Sequence, residues 1–328
     1  MASPRLVRLC LAVVGSAALL IPVVVSTTEA AAAPVFVALG DSYTSAPLIS
    51  RPVGEWGSTT NPYDCGKSDE NYPHRLARHL GVEGTDQFVD VSCGSARTRH
   101  MDEDQSGLPF GGTNRRQFAA LEDFADDPSR VTLVSVGIGG NDLGFGELQD
   151  YCVQPPEAAG GRPCREHYEN VDGAGDPSIE GDIIQHRLGL LELSLAAVID
   201  GIRSRAPNAE ILVYGYPALL PEYTDGCYPY IPILPTDAAY LREAEKDLNR
   251  TIRDVAGAGG AHYVDWYSPS IGHDMCQPPG LAWVNGVVLA PPSYPVHPNL
   301  LGTWGAANAG VGVLDSIDFS FSVGRGTS

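Results

Sequence analysis

Short apolar runs with no polar alternation recur along the chain at Val35 to Leu39, Phe88 to Val91, Val131 to Ile138, Ile211 to Tyr214 and His262 to Val264. A strand with one wet face alternates with period two, so an uninterrupted run predicts a strand covered on both sides. Segments between the runs have helical spacing. The clearest places Ile184, Leu188, Leu191, Leu195, Val198 and Ile202 at steps of four and three, one apolar stripe with Pro207 beyond its end. Further helices are predicted over Tyr72 to Leu80, Arg116 to Phe124, Ala238 to Val255 and Leu300 to Ser316. Strands alternating with helices of this length predict an α/β chain: a three-layer α/β/α sandwich around a mostly parallel five-stranded sheet. Pro47 to Asp69 and Gln149 to Asp176 read as long loops. With no internal repeat and no low-complexity linker, residues 33 to 328 are expected to form a single domain. Ligands of such sheets collect at the carboxyl ends of the strands, which directs attention to the residues just after each run.

The first 32 residues obey a different pattern. Arg5 and Arg8 precede an apolar stretch from Leu9 to Val25, and small residues Ala30 to Ala33 follow before Pro34. That is the layout of a secretory signal peptide, with cleavage expected after Ala32. Cys10 opens the apolar stretch instead of closing it, which argues against a lipoprotein. No later segment reaches the roughly 18 uncharged apolar residues of a membrane span. The expected product is therefore extracellular and without stable membrane insertion; a monomer is expected.

Charge narrows the partners. The formal net charge is −19, and loss of Arg5, Arg8 and Glu29 with the leader makes it one unit more negative. Nucleic acid and anionic lipid surfaces are disfavoured. Six cysteines remain after the leader: Cys65, Cys93, Cys152, Cys164, Cys227 and Cys276. An even count in an exported chain predicts three disulfides; fifteen pairings are possible, and the simplest is sequential. Neither a CxxC pair nor an HExxH motif is present, so neither a metal nor another cofactor is expected.

Four short motifs follow the strand-like runs or precede the last helix. Ser42 lies in Gly40-Asp41-Ser42, where glycine allows a sharp turn that exposes a hydroxyl; the competing role is a helix cap. The nucleophile elbow of α/β-hydrolases needs GxSxG, and Thr44 occupies its last position. Gly94 in Ser92-Cys93-Gly94-Ser95 can bring a backbone N–H close to a reacting oxygen, or simply make a turn. Gly137-Ile138-Gly139-Gly140-Asn141-Asp142 lacks the sixth-position glycine of a dinucleotide fingerprint, which leaves Asn141 as an amide donor or an Asx turn. His297-Pro298-Asn299 stands before the final helix, with Pro298 suited to its first turn.

These four segments, in this order, resemble the SGNH hydrolases, also called GDSL esterases and lipases, over nearly the whole chain beyond the leader. The six cysteines, Asn71-Tyr72-Pro73, Gly272-His273-Asp274 and Trp283 are similar to the secreted actinobacterial members. The resemblance implies the SGNH, flavodoxin-like fold and a serine ester hydrolase. Ser42 would be the nucleophile and His297 the general base. The backbone N–H groups of Ser42 and Gly94 and the Asn141 side chain would form the oxyanion hole. The family often has Asp three residues before the histidine, where this chain has Tyr294, and the nearest acid upstream is Asp274. The imidazole is therefore expected to be oriented by the main-chain carbonyl of Tyr294, or of Ser293 if the loop is offset. Ala46 stands where close relatives usually have glycine. The expected substrate is a small-molecule or lipid ester, with phospholipase and polysaccharide O-deacetylase activity as alternatives on the same atoms and a secreted binding module as the non-enzymatic one.

Overall fold

The computed structural model describes residues 32–153, 163–170, 173, 175–222, 227, 231–287 and 293–321. From Ala32 onward the chain is one compact unit. Apart from Ala32, the predicted leader lies outside the described residues.

Each apolar run is a strand: β1 (Val35–Gly40), β2 (Phe88–Asp90), β3 (Val131–Gly137), β4 (Glu210–Tyr214) and β5 (His262–Val264). All pairings are parallel, in the order β2-β1-β3-β4-β5. Central β1 is buried at every position, as its lack of alternation requires. Removing Phe36 and Leu39 fully from water contributes about 1.5 to 3 kcal/mol each. From β1 the chain moves outward to β2 on one side, then returns to β3 and continues to β4 and β5 on the other. The order reverses between β1 and β3, and their carboxyl ends diverge into the crevice where such sheets hold ligands. Ser42 and Asn141 follow those two strands.

The helices are α1 (Ser42–Ser45), α2 (Tyr72–Leu80), α3 (Ala119–Glu122), α4 (Gly140–Leu143), α5 (Phe145–Cys152), α6 (Cys164–Tyr168), α7 (Ile183–Arg205), α8 (Pro235–Ala258), α9 (Tyr267–Ser270) and α10 (Leu300–Ser316). Helix α2 starts where Asn71 accepts from the His74 N–H, with proline in the first turn, and stops at Gly81 in the left-handed conformation. In α7 the six stripe residues are all buried. Helix α2 packs on α10 and α7 on α8, which form the layers either side of the sheet.

Two predicted segments differ. The helix expected over 116–124 shrinks to α3, because the N–H groups of Gln117 and Phe118 bond to the carbonyls of His100 and Met101. That cross-connection holds Gln117 against β1 instead of in a helical turn. The expected loop from Gln149 to Asp176 contains the end of α5 and all of α6, joined by the Cys152–Cys164 disulfide. Both pieces are too short to register as periodic patterns; residues 154–162 lie outside the described set. The other disulfides are Cys65–Cys93 and Cys227–Cys276, so the pairing is sequential.

Candidate active site

Gly40 ends β1 at φ +151°, and a Cβ there would meet the Thr44 hydroxyl and the Gly137 carbonyl. Glycine is thus required for the turn that carries Ser42. Gln117 clamps the turn, its Oε1 accepting from the Gly40 N–H at 2.7 Å and its Nε2 donating to the Gly40 carbonyl at 2.9 Å. Asp41 caps α1 by accepting from the Tyr43 N–H at 2.9 Å. Because Asp41 is the cap, the Ser42 hydroxyl is free for another partner. Helix α1 ends at Ala46, φ +52°, a left-handed residue that explains a glycine preference here; alanine adopts it at a cost of roughly 1 to 2 kcal/mol.

That other partner is His297. Ser42 Oγ and His297 Nε2 are 2.8 Å apart, and His297 Nδ1 is 2.8 Å from the Pro295 carbonyl oxygen. A carbonyl can only accept, so Nδ1 carries the ring proton and Nε2 presents its lone pair to the serine hydroxyl. The expectation of the Tyr294 carbonyl, or Ser293, is corrected to Pro295. Residues 294–297 form a tight turn in which the Tyr294 carbonyl accepts the His297 backbone N–H and the Ser293 hydroxyl. The carbonyl two residues before the histidine is the one directed at the ring. Val296, buried at φ +56°, pays for this turn with a backbone conformation rare for a β-branched residue. The Tyr43 hydroxyl holds it by donating to the Val296 carbonyl at 2.6 Å. Asp274 lies elsewhere, accepting from the Cys276 N–H and the Gln277 amide.

Burial pushes the His297 ring down to about 4, opposed in part by its bond to Pro295. The imidazole is neutral above that value and able to act as a base. The acid limb of kcat/KM is accordingly expected near pH 4 instead of the usual 6.5, checked by a pH–rate profile. Folding excludes a proton from His297 between those values, which lowers stability as pH falls through the window. Asp41, raised by burial to about 7, takes up a proton on folding over the same range and offsets the effect.

Asn141 opens α4 after β3, and its Nδ2 donates to the Ala96 carbonyl at 2.9 Å. An amide nitrogen has two protons, so one remains. Asp142 beside it accepts from the Thr98 N–H and hydroxyl, tying α4 to the turn after β2. In that turn the Gly94 N–H donates to the Cys65 carbonyl at 2.9 Å. This corrects its assignment as an oxyanion donor: the adjacent Cys65–Cys93 bridge brings that carbonyl onto it. Ser95 is the next residue, at φ +62°, and its N–H has no partner among the described residues.

Sequence reasoning missed Gln117 and Tyr216. Tyr216 donates to Asp41 Oδ2 at 2.5 Å and accepts from the Gly140 N–H at 2.8 Å, connecting the turns that carry Ser42 and Asn141. Its position two residues beyond β4 was a usable signal; Gln117 had none. Asn71 and Trp283 are scaffold: Asn71 caps α2, and Trp283 stacks on His273 and accepts the Asn299 N–H with its carbonyl.

A serine hydroxyl held against the lone pair of a neutral imidazole is an arrangement that can support nucleophilic attack. The comparison with known proteins gives it a family. The model of the GDSL-like lipase/acylhydrolase family matches residues 38–304. The chain belongs to this family. It is 32% identical over 277 residues to lipase 2 of Streptomyces coelicolor, with 81% of each chain covered. It is 32% identical over 291 residues to an esterase of Streptomyces scabiei, covering 81% of this chain and 78% of that one. Among solved structures, phospholipase A1 of Streptomyces albidoflavus is similar, with TM-score 0.61, 25% identity and coverage of 87% and 99%. This GDSL protein is an ester hydrolase.

Proposed function

We propose that this GDSL hydrolase is a secreted carboxylic ester hydrolase of lipase or esterase type that works through an acyl-enzyme on Ser42. The observation that carries the proposal is the Ser42–His297–Pro295 alignment, which supplies a hydroxyl, a base and a fixed tautomer without a carboxylate. Ser42 Oγ attacks the ester carbonyl as its proton passes to His297 Nε2. The imidazolium then gives that proton to the departing alkoxide. Water repeats the exchange on the acyl-enzyme, releasing the acid and restoring the serine. The imidazolium faces a carbonyl dipole, whose pull on its charge is weaker than that of a carboxylate.

The negative oxygen of the tetrahedral intermediate is assigned to the Ser42 N–H, the spare Asn141 Nδ2 proton and the N–H of Ser95. Ser42 is the first residue of α1 and its N–H has no helical partner. Asn141→Ala is expected to lower kcat about 10²- to 10³-fold with little change in KM, measured on a p-nitrophenyl ester. Secretion is supported by the leader's pattern and by the three disulfides.

Beside the site lies an apolar cavity of about 80 Å³. Its wall includes Gly140, Val296 and Tyr216, neighbours of Asn141 and His297 and the partner of Asp41. This cavity is the natural place for the acyl chain. A p-nitrophenyl ester series from acetate to palmitate tests the proposal: wild type should hydrolyse it with an initial burst of nitrophenol matching the enzyme concentration. Binding without release of nitrophenol at any chain length would instead support the binding module.

A further inference from the structure

The acyl cavity is not apolar throughout. Leu143, Leu248 and Met275 line it, yet α8 also places Glu245 in its wall. Glu245 is 8% exposed, and its two carboxyl oxygens share one hydrogen bond, from the Leu219 N–H at 3.0 and 3.2 Å. No cation among the described residues pairs with it: neighbouring Lys246 is engaged by Glu222 and Glu243. Burial pushes the carboxyl well above the usual carboxylate range. Asp274 and Glu222 add to the shift, Lys246 and the Leu219 N–H oppose it, and the Tyr43 and Tyr267 phenols lie within its field. A neutral carboxyl can keep the Leu219 bond on one oxygen and carry an O–H on the other. No other group among the described residues takes that hydrogen.

An all-carbon chain filling the cavity leaves the O–H unpaired and shuts out water, which costs binding. A chain with an oxygen at that depth pairs it. Sites built to hydrogen-bond a substrate group discriminate strongly against its absence, whereas apolar walls discriminate weakly.

Building on the acyl-enzyme reading above, we propose that Glu245 is a specificity-determining residue of the acyl cavity, selecting acyl groups that carry an ether, hydroxyl or carbonyl oxygen in the chain. Ser42 and His297 supply the reaction; Glu245 touches the chain and determines which esters are used.

The test compares p-nitrophenyl esters of equal length in which one methylene is replaced by oxygen: butyrate with methoxyacetate, pentanoate with 3-methoxypropanoate, hexanoate with 4-methoxybutanoate. Each oxa/alkyl ratio of kcat/KM in wild type is divided by the same ratio in Glu245→Leu, which cancels the intrinsic reactivity of the esters. At least one pair should give a quotient of about ten. Glu245→Gln can accept from Leu219 and still donate, so it should retain the preference. Should Glu245→Leu fail to fold, wild type and Glu245→Gln decide: the wild-type preference should vanish at alkaline pH while that of Glu245→Gln persists. Quotients within about twofold of one at every length, or a preference in wild type that ignores pH, overturn the proposal. Fluorophosphonate labelling of wild type runs in parallel. Labelling with no oxygen preference rejects the role of Glu245 alone, whereas absent labelling rejects the acyl-enzyme reading beneath it.

Discussion

Ser42→Ala is expected to lower kcat by roughly 10⁴- to 10⁶-fold while leaving the fold intact. The size follows from the loss of the only oxygen among the described residues that His297 Nε2 contacts, 2.8 Å away. Without it, covalent catalysis ends and water must attack unaided. The fold should survive because Asp41, not Ser42, caps α1, and because Gln117 holds the turn through main-chain atoms of Gly40. KM should change little, since the cavity wall and amide donors remain. The check is steady-state hydrolysis of a p-nitrophenyl ester, with circular dichroism melting as the control for folding.

His297→Gln should produce a loss of similar order, roughly 10⁴-fold or more. Glutamine fills much of the same volume but has no basic nitrogen, so the Ser42 proton has nowhere to go in the transition state. The substitution tests chemistry more cleanly than alanine would, because the imidazole lies 5.0 Å from the Tyr43 ring and its removal would leave a hole there. On the acyl-enzyme proposal serine and histidine act as one unit, so the double variant should be no slower than the slower single variant. An additive double loss would mean that the two residues contribute to separate steps. The measurement is kcat of both single variants and the double variant on one ester.

Much of this architecture was legible along the chain because its strands are buried on both faces. Val35 to Leu39 and Val131 to Ile138 contain no polar alternation, and burial from both sides is the physical reason. The stripe of α7 was equally readable. What escaped were features made by contacts distant in sequence. Gln117 leaves its predicted helix because its side chain meets Gly40, 77 residues away. The Cys65 carbonyl takes the Gly94 N–H through contact between two loops, which leaves the Ser95 N–H as the one without a partner among the described residues of that turn. The family resemblance paired His297 with Ser42 but could not show which carbonyl would face its ring. That depended on whether the Tyr294 carbonyl was already used within the turn, and it is, by the His297 N–H. Tyr216 and Glu245 were hidden for the same reason: each matters through partners on other elements, Asp41 and Gly140 for the first, Leu219 for the second.

The central claim is that Ser42 is the atom that becomes acylated. The most direct measurement is reaction of the purified protein with a fluorophosphonate, followed by peptide mapping by mass spectrometry. One phosphonyl group per chain, on the peptide containing Ser42 and absent from Ser42→Ala, is the predicted result. A modification on any other residue, or an unlabelled protein that still hydrolyses esters, would contradict it.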